Sequence, residues 1–341
     1  MRKDSRGQGV EDSSAGTRIL ESFNPGPLPL GISMGDPAGI GPEIILKALS
    51  LLPRLPCRLF GSRRVFEREQ KRLGTEVDLA CVEDVVGQLG SFKMGRVQRD
   101  CGAASFACLE TGVKELRENR VAALVTAPVS KEALRMAGFR WPGQTEFLAE
   151  RLGSTRHAML AWTPKFKVVF VTIHEPLVRV SRHITPTAVA EKTGLLNQFL
   201  CDTGVKRPRI CVMAFNPHAN EFSLGEEERI AAGVARARKA GINSVGPIPA
   251  DAAVASVSAD RHSPFAIRFD GFVAMYHDQA MIPAKLLGRD RGVNLTLGLG
   301  RIRTSPLHGV AFDIAGQGIA SPGSMLAAIR LARRHRRAAS R

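Results

Sequence analysis

The chain reads as an α/β protein with a largely parallel sheet, and three observations predict this. Short apolar runs alternate with helical patterns along most of its 341 residues, the order that builds a sheet covered by helices. An early apolar run leads through a glycine-rich turn into a helix opened by proline. Three further runs each lead within a few residues to a histidine, which places imidazoles beyond the carboxyl ends of strands, where α/β sheets bind ligands. The length exceeds what one core usually supports, so two domains are expected.

The elements follow in chain order. Residues 1–26 are polar and rich in Gly, Ser and charge without an apolar stretch, so they read as a flexible extension rather than a secretory signal. Leu28–Ser33 is a strand candidate, and the cluster Gly35-Asp-Pro-Ala-Gly39-Ile-Gly41-Pro42-Glu43 then turns into a helix from about Pro42. That cluster matches neither G-x-G-x-x-G nor the P-loop pattern, so a compact strand-to-helix turn is slightly favoured over direct ligand contact. Val121–Thr126 is a strand broken by Ala127-Pro128, with a helix starting near Ser130. The segments Lys167–Ile173 before His174, Arg209–Phe215 before Asn-Pro-His218, and Gly271–Tyr276 before His277 complete the strand-then-histidine set. Thr185-Pro186 opens a helix with apolar positions Val189, Leu195, Leu196 and Phe199, and Gly225-Glu-Glu-Glu opens another.

Hydrophobic content of 44% with 23% charged residues is globular composition. No stretch approaches the length of a transmembrane helix, and six cysteines without paired CxxC spacing suit a reduced, cytoplasmic setting. Net charge is +16, and residues 330–341 carry six arginines and no acid, a basic tail. Such a run binds polyanions or simply forms a solvated helix end; one Tyr and two Trp supply few base-stacking platforms, so specific nucleic-acid binding is disfavoured. Excess positive charge also attracts an anionic metabolite. His174, His218 and His277 together suit a divalent ion such as zinc with a coordination position left for substrate. His157, His183 and His262 lie in polar contexts and read as surface residues.

Eight segments carry a family resemblance: Ser33-Met-Gly-Asp-Pro-Ala-Gly-Ile-Gly-Pro-Glu43, Thr126-Ala-Pro-Val-Ser-Lys131, Pro142-Gly-Gln-Thr-Glu146, His174-Glu-Pro-Leu177, Asn216-Pro-His218, Gly246-Pro-Ile-Pro-Ala-Asp251, Tyr276-His-Asp-Gln279 and Val293-Asn-Leu-Thr-Leu-Gly298. In this order the chain resembles the PdxA family, the 4-hydroxythreonine-4-phosphate dehydrogenases of vitamin B6 biosynthesis, from about residue 28 to 328. The resemblance implies two α/β/α domains with a cleft between them, similar to isocitrate and isopropylmalate dehydrogenases. It would divide the chain into 27–131 plus 286–329 and 132–285. It implies a metal (Zn, Mg or Co) on His174, His218 and His277, and a homodimer whose subunits share the site. Substrate contacts fall on Gln144, Thr145, Lys285, Asn294 and Arg303, where lysine and arginine suit a phosphate and a carboxylate. Lys285 follows an apolar stretch, which disfavours a surface role.

The segment from His308 to Pro322 resembles the adenosine-binding loop of the isocitrate and isopropylmalate enzymes, which bind NAD or NADP without Rossmann glycines. By that resemblance His308 and Gly309 lie near adenine and Asp313 shapes the loop; a glycine-rich turn into the last helix is the plainer reading. Asp278 is the candidate acid–base group or support for a metal ligand, and Lys285 a candidate proton relay. Two positions depart from the family pattern. Gln144 stands where histidine is common, and can donate a hydrogen bond but not shuttle a proton. Leu307 stands where an acid is often found. The expected reaction is metal-assisted oxidation of the secondary alcohol of a small phosphorylated hydroxy amino acid. Rival readings are a sister dehydrogenase acting on a four-carbon phosphorylated sugar acid or a cyclic diol carboxylate, and a non-catalytic polyanion-binding protein.

Overall fold

The computed structural model describes residues 28–87, 89–258 and 268–338; the N-terminal extension and His262 lie outside them. Eleven strands form one continuous sheet: β1 (Leu30–Ser33), β2 (Cys57–Gly61), β3 (Val82–Asp84), β4 (Leu124–Thr126), β5 (Ala158–Trp162), β6 (Lys167–Phe170), β7 (Ile210–Met213), β8 (Ser244–Ile248), β9 (Gly271–Ala274), β10 (Val293–Leu297) and β11 (Arg303–Pro306). Their order is β3-β2-β1-β4-β11-β10-β5-β6-β9-β7-β8. The helices are α1 (Gly41–Ser50), α2 (Arg63–Leu73), α3 (Arg99–Arg117), α4 (Lys131–Met136), α5 (Gln144–Arg151), α6 (Leu177–His183), α7 (Pro186–Asp202), α8 (Glu226–Lys239), α9 (Ala250–Ser258), α10 (His277–Gly288) and α11 (Gly323–Ala338). Among the described residues no helix is long and apolar enough to cross a membrane.

The parallel expectation holds on both flanks and fails in the centre. Strands β3, β2, β1, β4 and β11 are mutually parallel, as are β6, β9, β7 and β8. Between them β10 pairs antiparallel with both β11 and β5, and β5 antiparallel with β6. Two short hairpins cause this. Gly298 and Gly300 take φ of +81° and +64° between β10 and β11, a backbone that glycine adopts without steric cost. Between β5 and β6 the Thr163 hydroxyl accepts the Phe166 N–H at 2.8 Å.

The glycine cluster is a packing device. A Cβ on Gly35 would stand 2.4 Å from the Pro128 carbonyl oxygen, and one on Gly41 2.5 Å from that of Met34. Close approach draws the β1–α1 turn against the segment leaving β4. Behind it the carboxylate of Glu43, 1% exposed, accepts from the Lys47 ammonium at 2.7 Å, the Ala320 N–H at 2.8 Å and the Arg72 guanidinium at 3.1 Å. Lys47 also donates to the Gly318 and Ala320 carbonyls. A loop without regular structure, residues 307–322, is thereby fixed to α1 and α2.

The helical expectations hold near their caps. Ser130 accepts the Ala133 N–H in front of α4, and Thr185 the Ala188 N–H in front of α7. Residues 330–338 continue α11, with Leu331 and Ala332 buried, so the basic run begins as part of a packed helix rather than a detached tail. His157 also differs from expectation: its Nδ1 is buried without a hydrogen-bond partner, and burial lowers its pKa. His183 is exposed, as expected.

Asp36 within the glycine cluster generates a pH-dependent prediction. Its Oδ1 accepts the Ala38 N–H at 2.9 Å, while Oδ2 is buried without a partner; burial raises the carboxyl pKa from 3.8 to about 6. Below about pH 3 the group is protonated in folded and unfolded chains alike. As pH rises through 6 the unfolded chain ionises first, so folding loses stability, and above that the loss is constant. Asp36→Asn therefore leaves the thermal midpoint near the parent's at pH 3 and raises it at pH 7, by at most about 3 kcal/mol in unfolding free energy. A pH-independent difference between the two melting curves contradicts this assignment.

Candidate active site

The elements around β4, β11 and β10 form a cavity of about 200 Å³ lined by Lys131, Arg135, Gln144, Thr145, Glu146, His174, Asn294, Arg303, His308 and Gly309, among others. At its base lies Arg303, the first residue of β11 and 2% exposed. Its guanidinium donates to the Thr126 hydroxyl at 2.6 and 3.2 Å, to the Thr296 hydroxyl at 3.4 Å and to the Gln144 side-chain oxygen at 2.9 Å. Register puts Thr126, Arg303 and Thr296 on neighbouring strands, which explains the shared contacts. All of those acceptors are neutral, and among the described residues no carboxylate lies within ion-pair distance of Arg303. Burial pushes its pKa down to about 10, opposed by the Glu146 carboxylate, so the side chain remains a cation at neutral pH.

Gln144 is the first residue of α5. An aromatic cluster of Phe106, Phe139, Trp141 and Phe147, with ring centroids 4.9–6.1 Å apart, fixes the chain between α4 and α5. With its oxygen turned to Arg303, the Gln144 amide keeps its N–H donors for other partners, so the positioning role expected of this departure suits the geometry. Two acceptors of the cavity lining are buried without partners, Asn294 Oδ1 and Glu146 Oε2.

Two of the three expected metal histidines are neighbours. The rings of His174 and His277 have centroids 6.2 Å apart. The Thr172 hydroxyl donates to the Met275 carbonyl at 2.8 Å, tying the two histidine segments together. Gln279 accepts the Met275 N–H and donates to the Ala214 carbonyl, holding the β9–α10 turn against the end of β7. His277 Nδ1 lies 2.7 Å from an Asp278 carboxylate oxygen, which leaves Nε2 as its open nitrogen. Partial burial, the Lys131 ammonium and His277 lower the His174 pKa and favour its neutral, ligating form.

His218 stands apart, exposed beyond β7 with its Nδ1 3.1 Å from Glu221. Buried Glu227 accepts the Phe215 and Asn216 N–H groups and so shapes the segment before it. His218 and Ala219 take φ of 55° and 56°, costly for residues with a Cβ. Among the described residues of one chain no group of three His, Cys, Asp or Glu side chains is arranged to hold an ion. The strands are also shorter than their apolar runs: β6, β7 and β9 end at Phe170, Met213 and Ala274, so the histidines sit on the following loops or the first helical turn.

The remaining expected residues divide. His308 and Gly309 line the cavity, with His308 Nδ1 3.0 Å from the Gly309 carbonyl oxygen and its pKa lowered by burial. Asp313 is exposed outside that cavity, as is Lys285 near the end of α10, so in the single chain Lys285 does occupy the surface position its apolar context disfavoured. Leu307 packs on Gly292, whose Cβ would stand 2.9 Å from it. The reading by residue type missed Thr126, Lys131 and Glu146. All three lay in segments matched to the family, yet nothing local to the sequence gave them a partner or a cavity.

A cavity that combines a buried arginine, the imidazoles of His174 and His308 and unpartnered acceptors is the kind of site an α/β enzyme presents. The model of the pyridoxal phosphate biosynthetic protein PdxA matches residues 41–332, and the chain belongs to that family. It is 37% identical over 321 residues to the 4-hydroxythreonine-4-phosphate dehydrogenase of Sulfurihydrogenibium sp. (strain YO3AOP1), covering 89% of this chain and 97% of that protein. It is 38% identical over 325 residues to the D-threonate 4-phosphate dehydrogenase of Salmonella typhimurium (strain LT2), covering 89% and 97%. The crystal structure of a 4-hydroxythreonine-4-phosphate dehydrogenase from Klebsiella pneumoniae superposes with a TM-score of 0.76 at 36% identity, covering 91% and 99%.

Arg303 yields a prediction that separates function from folding. Arg303→Met removes a buried charge that, among the described residues, has no carboxylate within ion-pair distance, so its thermal midpoint should be no lower than the parent's. The apparent affinity for a phosphorylated substrate should fall about 30-fold or more, the worth of a desolvated charge pair. A large loss of stability with unchanged KM contradicts the assignment.

Proposed function

We propose that the protein catalyses NAD(P)-dependent, divalent-metal-dependent oxidation of 4-phosphohydroxy-L-threonine to 2-amino-3-oxo-4-(phosphooxy)butanoate. That product is a β-keto acid, whose loss of carbon dioxide gives 3-amino-2-oxopropyl phosphate. The observation that carries the reading is the buried Arg303 cation, which lacks an acid partner in the described structure and lines the same cavity as His174 and Asn294. An anionic group of the substrate completes its hydrogen bonding, with the exposed Lys131 and Arg135 adding positive potential. Gln144 and Thr145 orient the substrate from the start of α5, and the Asn294 side-chain oxygen accepts one of its donors. Lys285 joins the site in the assembled homodimer, where the two subunits share it.

His174, His218 and His277 are the residues that would hold the metal. Fit is supported by the His174–His277 proximity and by the carboxylates at Nδ1 of His218 and His277, which leave Nε2 free on both. A bound divalent ion (Zn, Mg or Co) supplies Lewis acidity that lowers the pKa of the substrate hydroxyl. His308, Gly309 and Asp313 are the residues that would hold the adenosine end of a nicotinamide cofactor, which would supply the hydride acceptor. Of the two roles open to Asp278, the 2.7 Å contact supports orienting His277 rather than acid–base work.

A second reading, oxidation of D-threonate 4-phosphate or a related four-carbon sugar acid phosphate, is favoured by the comparable identity, 38% against 37%, of a relative bearing that name. Following NAD(P) reduction with both substrates separates the readings. Turnover of 4-phosphohydroxy-L-threonine should be faster, should stop with a chelator and should return on adding zinc, cobalt or magnesium. Turnover of the sugar acid alone overturns the first reading. Asp278→Asn should weaken metal affinity about 10- to 100-fold, measured by titrating activity with metal, while saturating metal restores most of kcat. A kcat loss of about 10²–10⁴ at saturating metal assigns Asp278 to proton transfer instead.

A further inference from the structure

We infer that Cys57 and Cys81 form a reversible intramolecular disulfide by exchange with a small-molecule disulfide such as oxidised glutathione, a modification that pins the edge strand of the sheet. The inference is independent of the reaction proposed above. Cys57 is the first residue of β2 and Cys81 the last before β3, and both are half-buried thiols without a bridge. The two strands run parallel, with Leu59 opposite Val82. On a regular ladder, side chains one residue out of register point to opposite faces. Leu79–Cys81 is a short 3₁₀ turn rather than strand, which releases Cys81 from that alternation and sets its sulfur in hydrogen-bond contact with the Cys57 thiol. Neighbouring strands lie about 4.8 Å apart, and a disulfide spans Cα separations of roughly 4.4–6.8 Å.

The turn is held in this position. Asp78 accepts the Ala80 N–H at 2.8 Å, and the Arg63 guanidinium donates to the Leu79 and Val82 carbonyls at 3.0 and 3.1 Å, on either side of Cys81. Hydrogen bonding also makes the two thiols unequal. The bond from Cys57 lowers the Cys81 pKa against burial and the Asp78 carboxylate, with the Arg63 cation helping. The same bond, together with burial, raises the pKa of Cys57. Cys81 is therefore the attacking thiolate and Cys57 the resolving thiol. The Cys81 thiolate attacks one sulfur of oxidised glutathione, forms a mixed disulfide and expels a glutathione thiolate. Cys81 then carries no negative charge, so the main cause that holds the Cys57 proton is gone. Cys57 loses that proton to solvent and attacks the Cys81 sulfur, expelling the second glutathione thiolate, which takes up a proton. Two protein thiols are oxidised and one glutathione disulfide is reduced to two thiols. The bridge joins β2 to the start of β3, a three-residue strand at the sheet edge whose only strand partner among the described residues is β2. It also closes a loop of chain that contains α2. The other cysteines differ: burial pushes the Cys101, Cys108 and Cys211 thiols up to about 12, and Cys201 is exposed.

The test equilibrates the full chain in glutathione buffers of rising oxidised fraction, blocks the remaining thiols and maps tryptic peptides by mass spectrometry. A bridged pair of peptides carrying Cys57 and Cys81 should appear as the oxidised fraction rises and disappear when reduced glutathione is restored. Amide hydrogen exchange at residues 82–84 should slow about 10-fold in the bridged form. Cys57→Ser should trap glutathione on Cys81, whereas in Cys81→Ser glutathione should join Cys57 at least about 10-fold more slowly. Absence of the bridged peptides at the highest oxidised fraction, with glutathione present on Cys201 as proof of oxidation, overturns the inference. A bridge that forms only after the chain is unfolded in urea overturns it as well.

Discussion

A buried guanidinium with no carboxylate within ion-pair distance among the described residues is the constraint on which the site depends. Transfer of Arg303 out of water costs several kcal/mol, and three neutral oxygens recover only part of it. Much of the surrounding architecture supplies or protects those oxygens. Thr126 ends β4, Thr296 belongs to β10, and Gln144 opens α5 on a foundation of four aromatic rings. The antiparallel insertion of β10 brings Thr296 beside Arg303; a strictly parallel sheet without it would leave that hydroxyl elsewhere. On the proposed reading, stability is given up at this point so that an anion finds a desolvated, oriented partner.

The imidazoles are organised by different means. Strand ends set their general position, but backbone and side-chain contacts beyond the strands set their distance. Thr172 and Gln279 hold the His174 and His277 segments together, while Glu227 shapes the approach to His218. Each connection is a buried or half-buried polar group answering another, as interior hydrogen-bonding groups must. The Glu43 network does the same for the loop that carries His308 and Gly309, fixing irregular backbone to two helices.

Much of this was legible in the sequence. Alternating apolar runs gave five of the eleven strands, β1, β4, β6, β7 and β9, and the caps at Ser130 and Thr185 and the acids opening α8 placed three helix starts within a residue. Arg303, Gln144, Thr145, Asn294 and His308 were all placed at the site by resemblance, and the cavity contains each of them. Periodicity could not reveal the central reversal, because a buried strand has the same composition whichever way it runs. Apolar runs also overstated strand length: residues such as Ile173 and Phe215 remain apolar beyond the last ladder bond. Glu146 and Lys131 were not singled out by residue type because membership of a cavity wall is a property of three dimensions. Lys285 illustrates the converse, since an apolar context in sequence became an exposed position on α10.

The central claim is that the unpaired Arg303 cation receives an anionic group of the substrate. A crystal structure of the protein with 4-phosphohydroxy-L-threonine bound tests it most directly. The account predicts a phosphate or carboxylate oxygen of the ligand within about 3 Å of the Arg303 guanidinium, with the Thr126 contact retained. A ligand whose anionic groups all lie elsewhere, with Arg303 still bonded only to neutral oxygens or turned to a protein carboxylate, contradicts it.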